Sequence, residues 1–408
     1  MTVTVRNNVL YDFLVLLLLL EFLCSCNNRQ YYVEVGKKLP GWTEGCLDIH
    51  SINSGRGECT FYILPDGTTM LVDAGEFRTS GSKYQMVRQR PDTLVRPYGV
   101  YTMYICDLID RSLSDISHYS IDYALATHYH MDHIGRIEKG YEMSDSGYVK
   151  TGMTALYDRL PYRKIIDRSF PEYSDENDQQ NWKRFVESVA SRDGTEIEKF
   201  DLGSRDQIKL LHNPDKYPDF RIVNYHVNGL VWNNGKVIDC WKDKKVTENG
   251  ASIGFLLSYG KFDWFSGGDA GSNGRVAGPT ACAINREIET MKGLHHMSWN
   301  TMSGTMMNIY NPMVVVNQSF YSHQPWPATM EETLKKGMPD GKVRDVFLTN
   351  LHEDTYRDSQ DLLAEIKSCG GHIVIRVMPG GGSFYVYMLD DNDFNYIVRD
   401  VFGPYMCR

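Results

Sequence analysis

Thr127-His128-Tyr129-His130-Met131-Asp132-His133-Ile134-Gly135 places three imidazoles and a carboxylate within six positions, in the order H-x-H-x-D-H. Neutral imidazole and carboxylate are the donors that zinc, manganese and iron share. The preceding Ile121–Ala126 is a short, mostly apolar run and reads as a buried strand. A loop at the carboxyl end of a strand can aim several side chains at one point, and ligand sites favour such places. Gly135, two positions past the last histidine, marks a turn or a close backbone approach. The chain holds twelve histidines in 408 residues, so chance in a polar surface loop explains this cluster poorly.

A chain of this length can bury one large core or two. Apolar residues make up 42% and charged residues 23%, ordinary values for a globular protein. The net charge of −9 and a pI near 5.8 argue against broad, sequence-independent binding to polyanions, though not against a local basic cleft. At the amino terminus, residues 13–20 are an unbroken apolar run, too short to span a bilayer but right for the core of a signal peptide. Leu23-Cys24-Ser25-Cys26 follows and resembles a bacterial lipoprotein box. It implies that Cys26 carries a lipid, that residues 1–26 are a lipoprotein signal peptide, and that the protein is an exported, membrane-anchored component of the bacterial envelope. Residues 27–45 then read as a polar tether and residues 46–408 as one domain. The remaining cysteines are odd in number and show no C-x-x-C spacing, so sequence alone does not pair them.

Residues 47–52, 60–64 and 70–75 read as strands separated by a glycine-bearing turn and by Pro65-Asp66-Gly67. A helix is expected around 100–113. Residues 140–245 read as an insertion. Within it Trp182, Phe185, Val186 and Val189 mark one face of an amphipathic helix, with Ser174 or Asp175 as its cap and Gly194 past its end. His212 and His226 have no motif around them and read as structural. Strands at 253–259 and 262–266 lead into Gly267-Gly268-Asp269-Ala270, and a helix at 287–293 into Leu294-His295-His296-Met297-Ser298. A strand at 314–318 precedes Tyr321-Ser322-His323-Gln324-Pro325. A strand at 345–349, a helix at 359–368 and a hairpin of 372–377 with 384–388 complete the chain.

Taken in order, these segments resemble the metallo-β-lactamase superfamily. The closest pattern is that of the hydrolase-like domain of bacterial DNA-uptake competence proteins, over roughly residues 46–139 and 246–350. The H-x-H-x-D-H loop, Asp73-Ala74-Gly75, Gly268-Asp269, His295-His296-Met297-Ser298 for H-H-G-S and Tyr321–Pro325 for Y-G-H-P carry the resemblance. It implies an α/β fold: a four-layer αβ/βα sandwich of two mixed sheets with helices outside. It also implies two neighbouring metal sites. His128 and His130 would serve the first; Asp132, His133 and one of His295 or His296 would serve the second; Asp269 would bridge them. Two zinc ions are expected, with manganese as an alternative. Asp73 would orient a ligand histidine or cap the next turn. Met297 stands where glycine is usual, which restricts the backbone there.

One expected ligand is missing. The histidine that completes the first site falls at Glu248 or Asn249, either of which could offer oxygen; His226 swinging in is the competing account. Asp132 and His323 are the expected catalytic residues, with Tyr321 beside His323 facing a leaving group or oxyanion, or else forming a satisfied buried pair. Trp299 and Trp326 would form an aromatic wall or, each alone, pack in the core. The expected function is metal-dependent hydrolysis of phosphodiester or related ester bonds in a small-molecule or oligomeric substrate. The alternatives are a single-stranded DNA nuclease, nucleic acid being the less favoured partner, and a catalytically inactive lipoprotein scaffold.

Overall fold

The structure, a computed structural model, describes residues 31–77, 86–91, 96–113, 119–242, 244–271 and 274–408. The apolar run at 13–20 and Cys26 lie outside the described residues. Two mixed sheets of nine strands form the frame. The first runs β18 (Val398–Met406), β17 (Ser383–Leu389), β16 (His372–Val377), β1 (Leu47–Ser51), β2 (Cys59–Ile63), β3 (Thr69–Ala74), β4 (Ile121–Ala126), β5 (Tyr162–Asp167), β6 (Glu196–Lys199). The second runs β15 (Ser368–Cys369), β14 (Asp345–Leu348), β13 (Val314–Asn317), β12 (Thr290–Lys292), β11 (Phe262–Ser266), β10 (Gly254–Tyr259), β7 (Phe220–Val227), β8 (Leu230–Asn233), β9 (Lys236–Asp239). Each sheet is antiparallel on one side and parallel on the other, with β3 to β6 and β11 to β15 forming the parallel halves.

Alternation along the strands sorts side chains into layers, because successive residues face opposite sides of a sheet. Ile49, Val72 and Leu125 from the first sheet meet Phe255, Leu257, Trp264 and Val316 from the second in a core between the sheets. Their neighbours Leu71 and Ala124 face outward, against helix α1 (Pro97–Ser112) through Tyr101, Ile105 and Leu108 and against Trp182 and Phe185. Leu256, Met291 and Val315 do the same on the other side, packing on Ala281, Met306 and Met330 of three helices, Ala277–Ile284, Gly304–Tyr310 and Pro327–Lys335. The result is helix, sheet, sheet, helix, the four-layer sandwich expected. Strands buried on both faces explain the near-continuous apolar runs.

Several local expectations are corrected. The described residues of 27–45 are no free tether, since Val33, Leu39 and Trp42 are buried in the outer core. Residues 140–245 supply β5 to β9, strands of both sheets, rather than an ornament. Residues 287–293 hold the short strand β12, not a helix, because it lies between β11 and β13 in a parallel ladder. Residues 359–368 divide into a short helix Gln360–Leu363 and the strand β15. The amphipathic helix spans Asn177–Asp193 with Glu176 at its amino cap in place of Ser174 or Asp175; Gly194 ends it in the left-handed region at φ 72°.

His372 on β16 is fully buried against Tyr104 and Tyr396, and its Nδ1 accepts the Asn53 N–H at 3.0 Å. Burial first and the nearby His50 second push its pKa down to about 3, against a small opposing pull from Asp390. A histidine with a depressed folded pKa stabilises the fold fully above its unfolded value of about 6.5 and loses that contribution as pH falls towards 3. Urea midpoints should therefore decline across this window, with His372 contributing a slope of up to about 1.4 kcal/mol per pH unit. His372→Asn keeps an acceptor without the proton. It should flatten the slope; an unchanged slope would show that His372 titrates normally.

Candidate metal centre

The parallel ladders bring their carboxyl ends to one edge. From β3 comes Asp73, from β4 the H-x-H-x-D-H loop, from β11 Asp269 and from β12 His295 and His296. Convergence of loops there follows from parallel strand order. The backbones pack closely: a Cβ at Gly75 would stand 1.9 Å from the Asp132 carbonyl oxygen, so only glycine fits. Asp73 sits in the left-handed region at φ 60°, and its carboxylate accepts the Thr127 N–H at 2.8 Å and the Thr127 hydroxyl at 2.7 Å. It also lies 2.8 Å from His133 Nδ1, which turns His133 Nε2 towards Asp269. Asp73 thus both braces the loop and orients a histidine.

Oδ2 of Asp269 is the meeting point. His133 Nε2 lies 3.2 Å from it, His296 Nε2 3.4 Å, His128 Nε2 3.8 Å and His295 Nε2 3.8 Å. Asp132 Oδ2 lies 3.4 Å from His296 Nε2 and 4.0 Å from His133 Nε2. His128 Nε2 and His130 Nδ1 are 3.1 Å apart. His296 Nδ1 faces the Gln318 carbonyl at 3.1 Å, leaving Nε2 for the centre. So His296 is the histidine that reaches Asp132, while His295 faces Asp269 on the other side with Asn249 Nδ2 3.2 Å away.

These atoms fit a divalent cation. Donors bound about 2.0–2.1 Å from one tetrahedral ion stand roughly 3.3 Å from each other, the spacing seen here. Asp269 Oδ1, His296 Nε2, His295 Nδ1 and Asn249 Oδ1 are buried without a hydrogen-bond partner, and orphaned buried polar atoms call for one. Burial opposes charge on His133 and His296, yet the carboxylates outweigh it. Asp269, Asp73 and Asp132 raise His133, and chiefly Asp269 and Asp132 raise His296 to about 9. Burial and then His133 lower His128. A group that is this crowded with opposite charges holds its imidazoles by electrostatics when no cation does so.

Glu58 and Lys292, which carry no motif, complete the floor. Glu58, His133, Asp269 and His296 offer ligand atoms within 4.8 Å of one another. Glu58, however, is already paired with the buried Lys292 ammonium at 2.8 Å, and Lys292 stands 3.6 Å from Asp269 Oδ1. Burial works against its charge, but Glu58 and Asp269 raise its pKa. Glu58 also stands 3.4 Å from His296 Nδ1, and its Oε1 is buried without a hydrogen-bond partner. The sequence signal was a charge immediately before one fully buried strand, Glu58, and a charge closing another, Lys292.

Glu248 leaves the ligand set. Its carboxylate accepts from Tyr129 N at 2.7 Å and from Arg168 at 3.0 and 2.5 Å. His226 is also spoken for, on β7, with Thr280 Oγ1 at 3.0 Å and the Gly267 carbonyl at 3.4 Å. Asn249 does reach the centre. His212 lies at the surface, 3.9 Å from Asp122. Met297 adopts φ 53° although it is not glycine, as do His295 at 49° and His296 at 54°, a run of left-handed residues that stores backbone strain at the site. His323, Tyr321, Trp299 and Trp326 line a cavity of about 470 Å³ that opens on Asp132 and His295. Trp299 is 62% exposed and thus not core.

No family model matches the chain, and no curated protein matches it. Similarity to solved structures is distant. The diiron β-hydroxylase CmlA of Streptomyces venezuelae is 12% identical over 83% of this chain and 55% of its own, with a TM-score of 0.34. A diphosphatase of the PhnP family is 13% identical over 74% and 94%, TM-score 0.33. Zn(2+)-bound PqqB of Methylobacterium extorquens is 11% identical over 66% and 88%, TM-score 0.34. The chain spans about half the length of the hydroxylase. Likeness at this level carries no argument, so the architecture rests on strand order and layer packing. On those grounds the chain is an α/β sandwich with a buried histidine–carboxylate group, able to hold a divalent cation, at the carboxyl ends of its parallel strands.

Proposed function

We propose that the protein is a divalent-metal hydrolase of phosphodiester or related ester bonds, of the metallo-β-lactamase superfamily. The observation that carries this reading is the set of four imidazole nitrogens 3.2–3.8 Å from one oxygen of Asp269, with Asp132 beside them. Asp132, His133, His296 and Asp269 would hold one cation. His128 and His130 would hold a second with Asp269, and His295 or Asn249 stands where its third histidine is missing. Bound divalent cations supply Lewis acidity and a water that ionises near neutral pH. The donor types suit zinc, manganese or iron alike.

The chain's own residues do the rest. Asp73 and the Gln318 carbonyl hold the Nδ1 sides of His133 and His296, so that both Nε2 atoms face the centre. The exposed His323 ring borders the cavity and is placed to give a proton to a departing oxygen. An inert scaffold would have no reason to keep so many enclosed donors unpartnered.

Metal analysis of purified protein, paired with a panel of bis(p-nitrophenyl) phosphate, a lactone and a β-lactam, tests the reading. Up to two equivalents of divalent metal, phosphodiester or ester hydrolysis, and loss of that hydrolysis on chelation are expected. Metal-replete protein that cleaves no member, or cleavage indifferent to chelator, would overturn it.

A further inference from the structure

We infer that the cavity beside Asp132 and His295 receives a flat, uncharged ring of the substrate, so that the bond cleaved belongs to a small aryl-bearing ester or phosphodiester and not to a nucleic-acid strand. This rests on the hydrolase reading above and narrows its substrate. Three features of the cavity carry it.

The first is shape. Trp299, Tyr321, His323 and Trp326 wall the space, and its floor is Asp132 and His295 of the centre, so a group seated here is attached directly to the reacting bond. The rings of His323 and Trp326 lie 5.1 Å apart with planes inclined by 30°, a tilted pair presenting a broad face. About 470 Å³ falls within the range of about 300–1,000 Å³ of small-molecule pockets.

The second is that the wall is built in advance. The Gln324 side chain accepts the Phe320 and Tyr321 N–H groups at 3.1 and 2.9 Å, and His323 N donates to Thr355 Oγ1 at 2.9 Å. A turn braced in this way loses little freedom when a ligand arrives. Trp299 is nevertheless 62% exposed at the mouth, a large residue left for a ligand to cover.

The third is charge. Among the described residues lining the cavity there is no lysine or arginine, and the one carboxylate is that of Asp132. A nucleic-acid strand carries a phosphate at every nucleotide, and proteins that track one use a positively charged groove. The centre can take a single negative charge at the reacting atom, but the cavity offers nothing to the next. The net charge of −9 adds to that exclusion.

Calorimetric titration of the full-length, zinc-loaded protein with phenylphosphonate, methylphosphonate and decathymidylate tests this without turnover. Phenylphosphonate should bind about tenfold more tightly than methylphosphonate, the increment of one aromatic contact. Trp299→Ala and Trp326→Ala should each remove most of that preference and leave methylphosphonate within about twofold. Equal affinities, a preference that survives both substitutions, or tighter binding of decathymidylate would overturn the inference. If p-nitrophenyl methyl phosphate is cleaved and no ring preference exists, the hydrolase reading stands and this inference falls. If the ring preference exists and no ester is cleaved, the cavity's preference for a ring stands, while the hydrolase reading and the cleaved bond assigned here fall.

Discussion

Asp269→Ala is expected to leave the protein with less than one equivalent of divalent metal and to cut kcat/KM on any ester it hydrolyses by roughly a thousandfold, since the several kcal/mol that bound cations supply convert at about 1.4 kcal/mol per tenfold. The reason is position. Among the described residues Asp269 is the one group close to His128, His133, His295 and His296 together, so its loss opens both halves of the centre at once. The largest charge that raises His133 and His296 would be gone, and their metal-free protonation would fall. Asp73→Asn provides a graded comparison. Asp73 touches His133 Nδ1 rather than the centre, and losing such a partner costs about 10–100-fold in metal affinity. Circular dichroism would show whether each variant folds. Unchanged metal stoichiometry in folded Asp269→Ala would mean that the centre lies elsewhere.

Arg376→Met should destabilise the fold by about 3–5 kcal/mol, the typical result of stripping one partner from a buried ion pair. Asp48 on β1 and Arg376 on β16 stand directly opposite in register, both buried, with Nε 2.9 Å from Oδ1 and Nη2 2.6 Å from Oδ2. Nη2 also donates to the Pro40 carbonyl at 3.1 Å, tying residues 40–41 over the pair. Burial opposes the Asp48 charge, and Arg376 together with His50 more than compensates, holding the carboxyl down at about 2. Without the guanidinium that charge is enclosed beside His50 Nε2, 3.6 Å away. Replacing both members, Asp48→Leu with Arg376→Met, should cost much less than the single change, because two apolar groups need no partner. Guanidinium denaturation of the two singles and the double measures the coupling. A single-variant loss under about 1 kcal/mol would show that water reaches the pair.

Much of the centre could be read along the chain because it is local. His128, His130, Asp132 and His133 share one loop, and the strand before it announces itself as an apolar run. Asp269 follows a strand that reads as one, whereas the histidine pair stands out by its own residues, since the segment before it reads as a helix. The hairpins and the helix at Asn177–Asp193 follow from period and turn residues alone. Strand β12 did not, since three residues are too few for period to separate strand from helix. The edge strands β6 and β9 are short, exposed and charged, which hides them, and their sheet membership shows only in the ladders.

Residues alone determined the donor types and the order of the strand-end motifs, while two sheets with covered faces were implied only by the resemblance. Tertiary structure decided which donors are free. Glu248 and Asn249 are adjacent and both offer oxygen, yet Arg168, distant in sequence, takes the first and leaves the second at the centre. Adjacent His295 and His296 part in the same way: a left-handed backbone turns one towards Asp132 and the other towards Asn249. Lys292 on β12 meets Glu58 from the turn before β2 in the other sheet, and their charges offset each other beside Asp269. Pairing between distant residues consumes or frees a side chain, and no local pattern records it, because the energy of a buried charge depends on what the fold places against it.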